Sequence, residues 1–173
     1  MKAYHFTADK LRDGSPIPPL GEWLEYTGEI KNGKSGLHYS KEPFDALQYA
    51  PGNLLHLVEV EDVVEKQNDK GVCRRRKILK TIDATELLRK FARDQALSVY
   101  HIWGNERTDP NGAGKRYLET GDESLRDAAA CAAGAAWAAG AARAAWAADA
   151  ARAAWAARKD FNKRVKDAFK GVK

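Results

Sequence analysis

From Ala135 to Ala157 the chain reads AAWAAGAARAAWAADAARAAWAA. Every third position carries something other than alanine: Trp137, Gly140, Arg143, Trp146, Asp149, Arg152 and Trp155. Alanine has the highest helix propensity, and a run of this length overcomes the nucleation penalty without help from packing. A helix from Asp122 to Lys170 is therefore expected, about 70 Å long at about 1.5 Å per residue. Successive tryptophans lie nine residues apart. At about 100° per residue that is half a turn out of phase, so Trp137 and Trp155 share a face and Trp146 points the opposite way. Such a helix has no single apolar stripe. It can receive neighbours on two sides, with glycine and alanine allowing close approach and each indole filling a groove. Self-association or partner docking through Trp137, Trp146 and Trp155 is one expectation. Packing across the chain's own domain, or drift of a simple repeat, are the others. Further on, Phe161, Val165 and Phe169 follow a four-residue spacing and form a true stripe, ready to pack on the domain or on a second copy.

Three regions follow from composition. Residues 1–104 are mixed and carry the fold, 105–121 are rich in turn formers and read as a linker, and 122–173 read as helix. The formal charge of +5 is concentrated at the end, where residues 158–173 hold seven basic side chains against two aspartates. Any long-range pull on nucleic acid or another polyanion would come from there, although basic residues also suit a helix C-terminus. No stretch is long and apolar enough to span a membrane. Cys73 and Cys131 lack metal-type spacing and read as free thiols. Met1-Lys2-Ala3 leads straight into a strand-like run without a secretory signal pattern, so a cytoplasmic protein is expected.

In the first region KAYHFT reads as a strand with Tyr4 and Phe6 on one face. The prolines of DGSPIPPLG make a loop, and EWLEYTGEI is a second strand or an irregular edge. After the KNGKSG turn and a short extended LHYS, a helix begins, with Ser40 as its cap and Pro43 in the first turn. LLHLVEVE alternates, placing His56, Val58 and Val60 on one face. VCRRRKILKTI returns as its partner. DATELLRKFARDQALSVYHIW opens with a capping box of Asp83 and Glu86 and breaks near Ser98. The fold class is α+β: a small mixed-sheet domain followed by a long alanine-rich helix.

Arg74, Arg75, Arg76 and Lys77 lie in one strand, with Arg74 and Arg76 on one face and the other two opposite. Guanidinium groups on a sheet face suit a phosphate or an acidic protein surface. A charged edge strand that guards against aggregation is the competing account. The histidines are His5, His38, His56 and His101. Three of them fall in extended segments that a fold can bring together, and no metal is expected from them. No P-loop, GxSxG or HExxH motif occurs, and no catalytic residue is assigned.

The residues Lys2-Ala3-Tyr4, Gly36-Leu37-His38, Pro43 to Tyr49 and Glu59-Val60-Glu61 resemble the shared pattern of small, uncharacterised phage and prophage proteins. That likeness covers about residues 1–100. It implies an accessory binding protein, of a kind that blunts host defence, engaging a host protein or a phosphate-bearing ligand such as a nucleotide or nucleic acid. A second likeness is to the ADP-ribosyltransferase fold, through Tyr4-His5-Phe6-Thr7, Gly36-Leu37-His38-Tyr39-Ser40 and Gln48-Tyr49-Ala50. It implies NAD as cofactor, held by His5, His38, Tyr39, Ser40 and Tyr49, with the two tyrosines on either side of the nicotinamide. Phe6 stands where that family has a glycine, and Glu59, Glu61 and Glu65 are the acidic residues in range of its catalytic glutamate. The alternatives are thus an enzyme of that type, or a structural oligomer built on the C-terminal helix. Without NAD chemistry no cofactor is expected.

Overall fold

The computed structural model describes residues 1–30, 34–138 and 146–172, without the side chains of 103, 136–138 and 146–153. The fold is α+β. Its backbone divides into two compact units, Met1–Thr85 with Asp160–Lys173, and Glu86–Lys159. The boundaries read from composition differ, because chain segments far apart in sequence share the first unit.

That unit is built on five antiparallel strands: β1 (Lys2–Thr7), β2 (Trp23–Glu25), β3 (Leu37–Tyr39), β4 (Leu54–Lys66) and β5 (Gly71–Asp83). The order is β1-β4-β5-β2, and β3 also pairs with β5, beyond β2. Tyr4 and Ser40 exchange backbone hydrogen bonds at 2.8 and 2.9 Å. The ladder therefore runs β1, β4, β5, β3 and returns to β1 through one bridge. Ser40 is buried in that bridge and does not cap the next helix, α1 (Pro43–Leu47). Glu42 takes the capping position, while Pro43 occupies the first turn as expected.

Alternation gives β1 two different faces. Ala3 joins Tyr39, Val58, Val60, Cys73 and Ile78 in a buried cluster, with Ile17, Leu37 and Val63 packed on it. Phe6 and Leu55, cross-strand partners on the other face, are also buried. The register between β4 and β5 slips at Leu57/Val58, so that Val58 faces Ile78 while His56 faces Thr81. This bulge adds one residue to β5 and returns Thr81 to the side of Ile78.

The Phe161, Val165, Phe169 stripe is spent on this unit. The helices after α1 are α2 (Thr85–Ser98), α3 (Tyr100–Trp103), α4 (Ala113–Thr120), α5 (Arg126–Ala138) and α6 (Trp146–Lys170), and the stripe lies on α6. Phe161 and Val165 are wholly buried and Phe169 nearly so. The Phe161 ring meets Phe44 edge-on at 5.9 Å, and Phe169 lies 6.2 Å from Tyr4. Asn162 accepts from the Phe44 N–H at 2.8 Å, and Lys80 donates to the carbonyls of Phe169 and Val172 at the helix end. Burying each of these apolar side chains is worth about 1.5–3 kcal/mol. Of the two expectations for this stripe, the domain or a second copy, the structure shows the first: the chain's own N-terminal unit covers the three residues.

In the second unit, α2 ends at Ser98 and α3 follows, as the expected break requires. Residues 113–120, read as linker, form α4. The turn formers before it are its caps: Asp109 accepts from the N–H groups of Gly114 and Lys115 and from Tyr100 Oη–H at 2.8 Å. Gly114 packs on Ala132 of α5, which a larger residue would separate. Asp122 caps a short 3-10 turn, Glu123–Leu125, that leads into α5. The single rod expected from Asp122 to Lys170 crosses 139–145, outside the described residues. No described helix is long and apolar enough to cross a membrane.

Candidate functional site

Arg76 points into the buried side of the sheet, opposite Val60, and is only 5% exposed. Its Nη1 donates to the backbone carbonyl of His38 at 2.5 Å. Among the described residues it has no carboxylate partner, and its one ionisable neighbour of opposite sign, the Cys73 thiol, is pushed up to about 11 and carries no charge at neutral pH. Burial lowers the guanidinium to about 10, so it stays charged at neutral pH. Taking a cation out of water without a counter-charge costs several kcal/mol.

Three imidazoles share its neighbourhood, one from each of β1, β3 and β4. His5 and His56 are directly paired across β1 and β4. His5 is held well below the usual imidazole range, first by burial, then by the charge of Arg76, then by His56 and His38. His38 is lowered by burial, then by Arg76, Lys70 and Arg12, against the opposing hydrogen bond to the Gly36 backbone. His56, fully buried, falls to about 4 through burial and Arg76. All three are therefore neutral at pH 7.

Their hydrogen bonding separates them. The Thr7 hydroxyl donates to the Ala8 carbonyl at 2.8 Å. Its oxygen lies 2.8 Å from His56 Nε2 and can only accept there, which assigns the proton to Nε2. Nδ1 then accepts from Thr81 Oγ1 at 2.8 Å. Both nitrogens of His56 are committed. His38 Nε2 is buried with no hydrogen-bond partner among the described residues, and so is Tyr39 Oη. His38 also lines a shallow recess with Glu65, Gln67, Lys70, Gly71 and Val72. Among the described residues no three His, Cys, Asp or Glu side chains are placed to hold a metal ion.

The basic run of β5 divides. Arg75 pairs with Glu25 at 3.0 Å and Glu61 at 2.6 Å, and Lys77 with Glu59 at 2.8 Å. Both cations lie 4.5 Å from the centre of the Trp23 ring. Arg74 donates to the carbonyls of Tyr26 and Gly28. Only Arg76 joins the histidines. The strand is not an edge, since β4 lies on one side and β2 and β3 on the other.

The residues expected to hold NAD are placed unequally. His5 and His38 belong to the Arg76 neighbourhood. Tyr39 is committed to the core and Ser40 to the bridge with β1. Tyr49 is 49% exposed, donates to Asp69 at 2.5 Å, and has Lys70 over its ring. A tyrosine sandwich would need Tyr39 to leave the core. Trp155 is 64% exposed, with Lys159 5.2 Å from its ring centre. The side chains of Trp137 and Trp146 lie outside the described residues. Much of the basic tail is paired, Lys166 with Glu42, Lys163 and Lys170 with Asp167, and Arg164 with Asp160. Sequence reasoning missed Thr7 and Thr81, whose hydroxyls fix His56; no local pattern marks them, because Thr7 meets His56 diagonally across the β1–β4 ladder and the bulge sets the register of Thr81.

A family model described as a domain of unknown function, DUF7666, matches residues 1–90. No curated protein and no solved structure matches the chain.

Proposed function

The chain belongs to the DUF7666 family, and from that premise we propose that it is a binding protein whose ligand carries phosphate, received by Arg76 with His5 and His38 beside it. One observation carries this reading: a buried guanidinium with no carboxylate among the described residues. A phosphate oxygen supplies the missing counter-charge and accepts from a guanidinium in the geometry Arg offers. The likeness to phage and prophage proteins fits an accessory role, with a nucleotide or a host factor bearing phosphate as the ligand. NAD carries a diphosphate, so the ADP-ribosyltransferase reading shares His5 and His38 with this site and would add Arg76 to them.

Titration calorimetry with sulfate, NAD and a short single-stranded oligonucleotide tests the proposal. Saturable binding is expected for at least one probe, weakened tenfold or more in Arg76→Met. No saturable binding of any probe would overturn it. Labelled NAD incubated with a bacterial lysate separates binding from transfer: modified products support the enzyme reading, and intact NAD supports binding alone.

A second reading rests on the exposure of Trp155. Self-association through the alanine-rich segment would shelter that indole. Its test is whether the solution mass rises with concentration.

A further inference from the structure

Resting on that reading, we propose that the anion enters the Arg76 site together with a proton, which His5 or His38 accepts. Binding would then be a pH-controlled event, tighter in mildly acidic conditions.

The groups around these two rings come from every element packed there. From β1 comes His5 itself, from β3 His38 and Tyr39, from β4 His56 and Glu65, and from β5 Arg76 and Cys73. Arg12 reaches His38 from the loop after β1, and Lys70 from the β4–β5 turn. The cations dominate. Glu65 lines the recess beside His38 yet is not among the groups that move it. The amino terminus and Asp62 register on Cys73, not on the histidines.

The uncharged state of His5 and His38 is thus a consequence of burial and of an uncompensated Arg76. An anion bound to Arg76 reverses the sign of the local field and favours the charged imidazole. The geometry supplies a place for the proton. His38 Nε2 is a buried acceptor without a donor, and on protonation it becomes a donor that the anion can accept from. His5 makes no hydrogen bond among the described residues that would have to break. His56 cannot take the role: Thr7 already accepts from its Nε2, and its Nδ1 is filled by Thr81. Cys73 donates to the Leu37 carbonyl and is pushed up to about 11, so it keeps its proton throughout.

The test uses the full chain and probes whose own charge is fixed over the range, sulfate and NAD. Calorimetric titrations are run in two buffers of different ionisation enthalpy, at about pH 6 and about pH 8. The heats should differ between buffers by an amount corresponding to about one proton taken up at the lower pH. Kd should weaken by about tenfold per pH unit where the bound form keeps the proton. In a His5→Gln/His38→Gln variant the uptake should vanish. Binding with no proton uptake in the wild-type chain would overturn the inference while leaving the anion site intact. Absence of binding by both probes would overturn the inference, and absence of binding by the oligonucleotide as well would overturn the anion site. The wild-type measurement decides the matter even if the double variant does not fold.

Discussion

Thr7 Oγ1 accepts from His56 Nε2–H at 2.8 Å, which locks the buried imidazole in one neutral tautomer. Protonation would force Thr81 to reverse its hydroxyl and would set a second cation near Arg76.

The pH dependence of stability follows. His56 has a folded value of about 4, below its unfolded value. Above about pH 6.5 both states are neutral and nothing is lost. As the pH falls from there to about 4, the unfolded chain binds the proton and the folded one does not, so stability drops by up to about 3 kcal/mol. His5 acts in the same direction. Urea denaturation at stepped pH should show this slope, and His56→Gln should flatten it. A stability curve that is level between about pH 6.5 and about 4 would contradict the assignment.

Arg76→Met separates a ligand-binding arginine from a structural one. In buffer free of multivalent anions the variant should keep its melting temperature or gain slightly, because a buried unpaired charge has gone. At about a hundred times Kd, sulfate should stabilise the wild type by about 2.7 kcal/mol and the variant not at all. A large loss of stability in anion-free buffer would show that the hydrogen bond to the His38 carbonyl is the residue's main task.

Phe161→Ala should destabilise the N-terminal unit by about 3–5 kcal/mol, since the ring is fully buried against Phe44. Trp155→Ala on the same helix should change stability by less than about 0.5 kcal/mol, given its exposure. Chemical denaturation followed by near-ultraviolet circular dichroism compares them. Equal effects would place the stripe outside the core.

Gly36→Ala should be costly. The residue has φ of +97°, and an added Cβ would lie 2.5 Å from Val72 Cγ2. A loss of about 1–3 kcal/mol is expected, read as a lower urea midpoint. Gly14→Ala is the comparison, because φ is also positive there but nothing lies within 4 Å. Similar losses at both would assign the effect to backbone conformation alone.

If the alanine-rich segment self-associates, light scattering should give a mass that rises with concentration, and Trp137→Ala/Trp155→Ala should abolish the rise. A concentration-independent monomer mass would remove this reading.

Much of the unit that carries the site was legible. Alternation in KAYHFT and LLHLVEVE placed Tyr4 and Phe6 on one face and His56 with Val58 and Val60 on another, as found. The Phe161, Val165, Phe169 stripe announced a buried helix face, but its partner was left open. Turn formers at 105–121 suggested a linker because Asn, Asp and Gly mark caps as well as loops, and here Asp109 uses its carboxylate to start α4.

By itself the sequence determined which segments extend, which coil and which faces are apolar, because those signals repeat every two to four residues and are complete within one element. The tertiary structure alone decided that Arg76 meets His38, that Thr7 and Thr81 clamp His56, and that residues 160–172 cover a sheet begun at residue 2. Those meetings depend on strand register, on a one-residue bulge and on contacts closed across most of the chain. None of these leaves a periodic trace in the residues themselves.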